Sequence, residues 1–128
     1  MQDSTNSDNE AVTNAKNPGN FENDFPLTGV FKVIGGKWKM TLVKAIAAQC
    51  PKRFGELRRE MENVTQGTLT LQLKELERDK IISREAFAES PPRVEYKLTE
   101  IGKTLIPVLD VLEEWWENYG SNGSSKST

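Results

Sequence analysis

Residues 65–78 read TQGTLTLQLKELER, and their spacing predicts the helix around which the fold is built. On a helix, Leu69, Leu73 and Leu76 lie at i, i+4 and i+7, so they share one apolar face. Thr65 is suited to capping this helix, because its hydroxyl accepts from the free N–H groups of the first turn. The opposite face is small and polar at its start and basic further along. That pattern favours a helix that enters the major groove of DNA, although an ordinary amphipathic surface helix has the same apolar face.

The segments on either side of this helix predict a winged helix-turn-helix. Residues 54–61, FGELRREM, predict a short helix, and only a tight turn separates it from the next one, as in a helix-turn-helix. Residues 81–87 are strand-like, and residues 94–98 alternate between apolar and polar. Residues 90–92, SPP, predict the turn between them, because proline cannot donate to a strand ladder. We therefore expect a mainly α fold with a small β-hairpin, that is, an α+β winged helix-turn-helix.

Further helices are predicted before and after this motif. Residues 26–34 carry apolar side chains at i, i+3, i+4 and i+7, and the glycines at 35 and 36 end that helix. A second helix begins at Trp38 and closes before the Cys-Pro pair at 50–51, and residues 52–54 have the composition of a short edge strand. The last helix is predicted to begin after Thr99, which caps it, and to end at Gly120. Pro107 lies inside this helix and is expected to bend it.

The domain boundaries follow from composition. Residues 1–24 are mostly Asn, Ser, Asp, Thr and Gly, and they predict a disordered tail. Residues 25–120 form the expected winged helix-turn-helix domain with its C-terminal dimerisation helix, and residues 121–128 form a flexible tail.

The first and last helices carry more apolar side chains than one small domain covers easily. Large exposed apolar patches usually mark association, so we expect a symmetric homodimer, with packing of both helices on a single core as the alternative. The expected interface residues are Leu27, Val30, Phe31, Leu105, Leu109, Leu112, Trp115 and Trp116.

Charge is distributed unevenly along the chain. The formal net charge is −2, but residues 32–103 hold fifteen Lys and Arg against ten acids, a surplus of +5 between acidic ends. A basic middle is able to bind a phosphate backbone, although a mixed solvated surface also accounts for a surplus of this size. Within the motif, Gln, Thr and Lys side chains suit base edges, and Lys and Arg suit phosphates. The candidate base readers are Gln66, Thr68, Thr70, Leu71 and Lys74, and the candidate phosphate or wing contacts are Lys37, Lys39, Arg58, Arg84 and Arg93.

Two of these candidates carry alternatives. Leu71 lies at the centre of the outer face, where it either touches a thymine methyl or packs against the partner helix of the motif. The wing, residues 84–93, reaches phosphate or the minor groove through Arg93. A winged helix that binds protein instead of DNA is the alternative for the whole domain, and it would need an acidic or apolar outer face.

Composition also excludes several functions. The chain has no histidine, which removes His-based acid/base catalysis, Ser–His and Cys–His nucleophile pairs, and His-containing metal sites. One cysteine, Cys50, excludes an internal disulfide framework. No phosphate-cradling glycine loop is present either, so we expect neither enzyme activity nor a metal or cofactor. No apolar run is long enough to cross a membrane and no charged-then-apolar segment opens the chain, so we expect no membrane partner and a reducing cytoplasm.

Several strings together resemble the HxlR-type regulators, winged helix-turn-helix relatives of the MarR group. The resemblance covers about residues 26–118, and PPRVEYKLTEIG at its distance from LTLQLKELE is the most specific part. It implies a dimeric DNA-binding transcriptional regulator that pairs through its first and last helices. Because a two-fold pair presents two reading helices, we expect a pseudo-palindromic operator. The matching strings are IGGKW at 34–38, RFxEL at 53–57, LTxxLKELE at 69–77, PPRVEYxLTExG at 91–102 and PVL at 107–109.

One departure concerns the signal. Many members of the family carry Cys-Pro just before the first helix, and in some of them that cysteine senses electrophiles or oxidants. Here the pair is Phe25-Pro26, so that role does not carry over by position. Cys50 is either a small buried hydrophobe or, if it is exposed near Lys52 and Arg53, a redox-sensitive thiol. A small-molecule or electrophile effector therefore stays unknown.

Overall fold

The structure is a computed structural model that describes residues 25–127, with the side chains of residues 25–121. The predicted tail 1–24 lies outside these residues. The chain forms two compact units, and the boundary between them lies between Gly35 and Gly36. The elements in chain order are α1 (Pro26–Ile34), α2 (Lys39–Ala48), β1 (Lys52–Arg53), α3 (Phe54–Glu60), α4 (Gln66–Arg78), β2 (Ile82–Phe87), β3 (Arg93–Leu98), α5 (Glu100–Lys103) and α6 (Leu105–Ser127).

Helix α1 is the one helix described in the first unit, and its predicted bounds are confirmed. Pro26 occupies the first turn, where its missing N–H costs no hydrogen bond. The N–H of Gly35 donates to the Phe31 carbonyl and closes the helix. Gly36 then takes a φ of 91°, the left-handed geometry that glycine adopts readily.

The second unit is built on the apolar face of α4. Leu69, Leu73 and Leu76 are all at most 1% exposed, as their spacing predicts. Helix α4 packs against α2, and Leu42 and Ile46 of α2 are fully buried. Each such side chain contributes about 1.5–3 kcal/mol by leaving water. The polar face of α4 is consequently the face that solvent reaches.

A tight helix end connects α4 to the hairpin. Lys80 adopts a φ of 66°, which is uncommon for a residue with a side chain. Its N–H donates to the Glu77 carbonyl at 3.0 Å, and the Ile81 N–H donates to the Leu76 carbonyl at 2.9 Å. These two bonds form a Schellman motif, with the buried pair Leu76 and Ile81 as its apolar contact. The wing therefore begins directly at the end of α4.

A three-stranded antiparallel sheet of order β1-β3-β2 forms the wing and its base. In the hairpin, Ile82 pairs with Leu98 and Phe87 with Arg93. The predicted edge strand is present, and in it Lys52 pairs with Tyr96. This pairing places the start of α3 beside the wing.

Thr99 and Gly102 dock the end of the hairpin onto the start of β2. The Thr99 hydroxyl donates to the Lys80 carbonyl at 2.6 Å and accepts from the Gly102 N–H at 3.0 Å, so it caps α5 as predicted. A Cβ at position 102 would lie 2.1 Å from the Ile81 carbonyl oxygen. Only glycine allows the chain to approach Ile81 this closely.

The last helix begins as predicted, but it differs from its prediction in an interruption near its start and in its end. It is interrupted at Thr104 and is split into α5 and α6, three residues before Pro107. Pro107 has no N–H for the Lys103 carbonyl, and its ring crowds that carbonyl. The predicted end at Gly120 is wrong, because α6 continues to Ser127 through most of the segment predicted as a flexible tail. Glycine carries only a helix propensity penalty when its backbone is not left-handed, and hydrogen bonds from the preceding turns propagate past it.

Two glycine substitutions test this packing. Gly102→Ala should lower the free energy of unfolding by about 1–3 kcal/mol, because the added methyl forces the backbone away from Ile81. Gly120→Ala, whose added Cβ would meet nothing within 4 Å, should instead raise it by up to about 1 kcal/mol. Urea unfolding followed by circular dichroism measures both. Equal effects would contradict the close approach at Gly102.

Candidate nucleic-acid interface

The first three turns of α4 present the predicted base readers. The Thr65 hydroxyl accepts from the Thr68 N–H at 3.1 Å, as predicted, and donates to the Thr68 hydroxyl at 3.0 Å. Gln66 and Lys74 are exposed, while Thr68 and Thr70 are half-buried. All four side chains therefore reach solvent. Lys74 lies opposite the leucine face, Thr68 and Thr70 lie at its two flanks, and Gln66 lies in the first turn.

Leu71 is the apolar exception on this face. Its side chain is 52% exposed, so it does not pack away against the partner helix of the motif. An exposed leucine among polar neighbours is available to an apolar group such as a thymine methyl.

Lys39 is a predicted phosphate contact, but the structure buries it and pairs it within the protein. Its side chain is only 7% exposed, and its Nζ lies 2.7 Å from Oε1 of Glu75 on α4. The stem of Lys39 is packed in the core and its ammonium is already paired, so it ties α2 to α4. Lys37, two residues earlier, is exposed beside the Trp38 ring, with Nζ 5.1 Å from the ring centroid, and stays available to phosphate.

Arg93 is also engaged within the protein. Its Nη1 lies 3.1 Å from Glu89, and its guanidinium sits 4.1 Å over the Phe87 ring. The Nε atom approaches Glu95 to 3.1 Å without hydrogen-bond alignment, so that contact is electrostatic. These contacts join both strands and the turn, and they describe a residue that stiffens the wing. The contact of Arg93 with DNA stays a prediction.

Arg58 and Arg84 are exposed, as phosphate contacts have to be. Arg84 lies next to the buried Tyr96 on the neighbouring strand. Burial raises the pKa of the Tyr96 phenol above its ordinary value, and the nearby Arg84 guanidinium lowers it in part. Tyr96 consequently stays neutral at physiological pH.

A cleft of about 810 Å³ lies between α4, from Thr70 to Glu77, and the wing. Arg53 of β1 lines it and is absent from the predicted contacts. The signal that points to Arg53 is the basic pair at 52–53, but the pairing of β1 with β3 is needed to bring it to the wing. The other lining residues are Phe54, Gly55, Thr70, Lys74, Glu77, Arg84, Glu89, Pro91, Pro92, Arg93, Val94 and Tyr96.

Helices α1 and α6 each expose apolar side chains, as an interface requires. On α1, Leu27 is 82% and Phe31 is 68% exposed, and Val30 is also exposed. On α6, Trp115 and Trp116 both stack on Tyr119, with centroid distances of 5.1 and 5.7 Å. These three rings and Leu112 are all exposed.

Two predicted interface residues lie elsewhere. Leu109 is only 2% exposed, on the helix that packs against α2, so it belongs to the core of the protomer. Leu105 is half-buried. The apolar residues of α6 therefore belong to two surfaces, the protomer core and the exposed face. Helical spacing alone does not tell which residue belongs to which surface.

Ion pairs also join α2 to α6. Lys44 bonds Asp110 and lies 3.2 Å from Glu113. The hydrogen bond to Asp110, followed by that to Glu113, raises the pKa of Lys44 above its ordinary value. The helix that supports α4 therefore also contacts the C-terminal helix.

Cys50 is a free, exposed thiol and not a buried hydrophobe. It lies between α2 and β1, outside the cleft-lining set.

Among the residues that the structure describes, no helix is both long and apolar enough to cross a bilayer.

The fold and the exposed face of α4 define the class of winged helix-turn-helix proteins. The HxlR-like helix-turn-helix family profile matches residues 33–124, and the chain belongs to this family. It is accordingly a transcriptional regulator with a helix-turn-helix domain.

Relatives and solved structures agree with this assignment. The chain is 45% identical to a helix-turn-helix transcriptional regulator of Halalkalibacterium halodurans over 92 residues. This aligned region covers 72% of this chain and 81% of the relative. The redox regulator HypR in its reduced form matches with 45% identity and a TM-score of 0.72, over 78% of this chain and 98% of HypR. A MarR-family regulator from Enterococcus faecalis matches with 36% identity and a TM-score of 0.69, over 90% of this chain and 97% of that regulator.

The reassignment of Lys39 predicts different roles for two neighbouring lysines. Lys39→Ala should lower the free energy of unfolding by about 1–3 kcal/mol, because Glu75 loses its partner. Lys37→Ala should change it by less than about 0.5 kcal/mol, because that side chain is exposed. Urea unfolding compares the two. If Lys39→Ala leaves the free energy of unfolding unchanged, the structural role of Lys39 is contradicted, and Lys39 is again a candidate phosphate contact.

Proposed function

We propose that this chain is a homodimeric regulator that binds double-stranded DNA sequence-specifically, with α4 in the major groove. The observation that carries the proposal is the division of α4 into a buried leucine face and an exposed polar and basic face. A helix of this kind, held by the core and free along its outer side, fits the major groove. The domain that performs this function spans residues 25–120, acts in the cytoplasm and has no enzymatic role.

Base reading falls to the first three turns of α4. Gln66 suits adenine, the Thr68 and Thr70 hydroxyls suit either base type, and Lys74 suits guanine. Leu71 adds contact with a thymine methyl. Their exposure supports this assignment, and the half-burial of Thr70 restricts the directions in which its hydroxyl can point.

Phosphate contacts come from the exposed cations around α4. Lys37, Arg58 and Arg84 hold the orientation of the protein on DNA without reading sequence. Lys39 and Arg93 act inside the protein, since each is already paired with a carboxylate.

A second copy of the chain covers the exposed apolar residues of α1 and α6 in this proposal. Exposed tryptophans are rare outside interfaces, and aromatic residues dominate the energy of association. A two-fold dimer also presents two copies of α4, which matches a pseudo-palindromic operator. The interface set is Leu27, Val30, Phe31, Leu112, Trp115 and Trp116, with Leu105 at its edge.

The inducing signal is a separate part of the function. HypR is named a redox regulator, and this chain contains one thiol, Cys50, which is exposed. Any signal that acts through a thiol of this chain therefore acts through Cys50.

Selection of bound fragments from the source genome, followed by footprinting, tests the proposal. The protected region should contain two related half-sites on one face of the duplex, about 34–36 Å apart or a multiple of that distance. This spacing follows from the two copies of α4 in a symmetric dimer. A footprint that covers one half-site at saturating protein would contradict the dimer, and the absence of any enriched sequence would contradict specific binding.

Thr70 provides the residue-level prediction. Thr70→Ala should reduce the preference for the selected duplex over a scrambled one by about 1–3 kcal/mol, because a base loses its partner. Thr70→Ser keeps the hydroxyl and is the matched control. Fluorescence anisotropy on both duplexes gives the preference. Equal losses on the two duplexes for Thr70→Ala would remove Thr70 from the base readers.

A further inference from the structure

The cleft between α4 and the wing gathers cations from three separate elements. Arg53 comes from β1, Lys74 from α4 and Arg84 from β2, and these three residues are the cleft cations. Within the described part of the chain, Arg53 and Lys74 take part in no ion pair. Like charges that share a cleft repel one another, so an anion placed among them is stabilised.

The carboxylates that line the cleft do not cancel its charge. Glu89 is paired with Arg93 at 3.1 Å, so that pair is neutral. Glu77 alone then faces the three cleft cations, which leaves a surplus of two positive charges. The cleft consequently attracts anions, although the whole chain has a formal net charge of −2.

The remaining walls suit a chain of sugars and phosphates better than a lone ion. Phe54, Pro91 and Pro92 give the cleft apolar surface beside its charges. A sugar–phosphate strand presents both kinds of surface, because its sugars are weakly polar and its phosphates are charged. A cleft of about 810 Å³ also exceeds the space that one phosphate needs.

The cleft opens onto the base-reading face. Thr70 and Lys74 belong to the outer face of α4 and also line the cleft. When a helix enters the major groove, a strand that borders the groove runs alongside it. That strand would pass between α4 and the wing, along the cleft that Arg53 also lines.

We propose that the cleft holds one sugar–phosphate strand of the bound duplex, and that Arg53 positions this strand by binding a phosphate. The inference rests on the proposed function. It adds β1 to α4 and the wing as a third element that contacts DNA. Arg93, which also lines the cleft, braces the wing through its contacts with Glu89 and Phe87.

Salt dependence of the full-length chain tests the role of Arg53. Binding to the selected and the scrambled duplex is measured by fluorescence anisotropy in KCl from about 50 to 200 mM. With about 6–10 phosphate contacts per dimer, the wild type should lose roughly 10³–10⁵ in affinity over this range. Arg53→Gln should weaken binding to both duplexes by the same factor, and should reduce the slope of log affinity against log salt by about 1–2 per dimer.

Two variants serve as controls. Arg53→Lys keeps the charge and should keep the wild-type slope, which separates loss of charge from damage to the fold. Lys103→Gln removes an exposed lysine of α5 that is paired with Glu100 and lies outside the cleft-lining set. It should leave both slope and affinity unchanged.

The outcomes distinguish failure of the cleft proposal from failure of the proposed function. A wild-type slope in folded Arg53→Gln, or a loss confined to the selected duplex, would overturn the inference while DNA binding stands. A wild type that binds neither duplex would instead overturn the proposed function. Inorganic phosphate that replaces chloride at constant ionic strength should not displace DNA. Displacement from the wild type but not from Arg53→Gln would make the cleft a free-anion site.

Discussion

Burial of one leucine face decides how this protein presents α4. Leu69, Leu73 and Leu76 are removed from water against α2 and its neighbours, and a rotation of the helix about its axis would expose them. At about 25 cal/mol per Å² of apolar surface, such exposure costs several kcal/mol. The polar face of α4 is therefore outward in every arrangement that keeps the core intact. The Lys39–Glu75 pair then joins α4 to α2 at a second point.

Ion pairs divide the cations of the chain into two groups. Lys39, Lys52 and Arg93 are paired with carboxylates and are at least partly covered, so they organise the fold. Arg53 and Lys74 carry no such partner among the described residues, and they lie together in the cleft. Net charge therefore says little about this surface, because the position of each charge and its partner decide what it does.

Local rules predict most of the elements. Periodicity places α1, α2 and α4 within a residue or two, and the Thr65 and Thr99 caps are both present. The prolines at 91 and 92 mark the hairpin turn, for the reason that they cannot donate to a strand. The errors fall where several local rules compete. Pro107 breaks the last helix at Thr104, and Gly120 is tolerated inside α6 because its backbone is not left-handed there.

The sequence by itself determines the winged helix-turn-helix class, the buried leucine face of α4 and the order of the elements, because each depends on residues close together in the chain. Tertiary structure alone decides which cations are free and which apolar residues are exposed. Lys39 is buried against Glu75, 36 positions away, and Leu109 is buried while Leu112 is not. Arg53 joins the wing only through the pairing of β1 with β3. These outcomes depend on contacts between distant segments, and local periodicity contains no information about them.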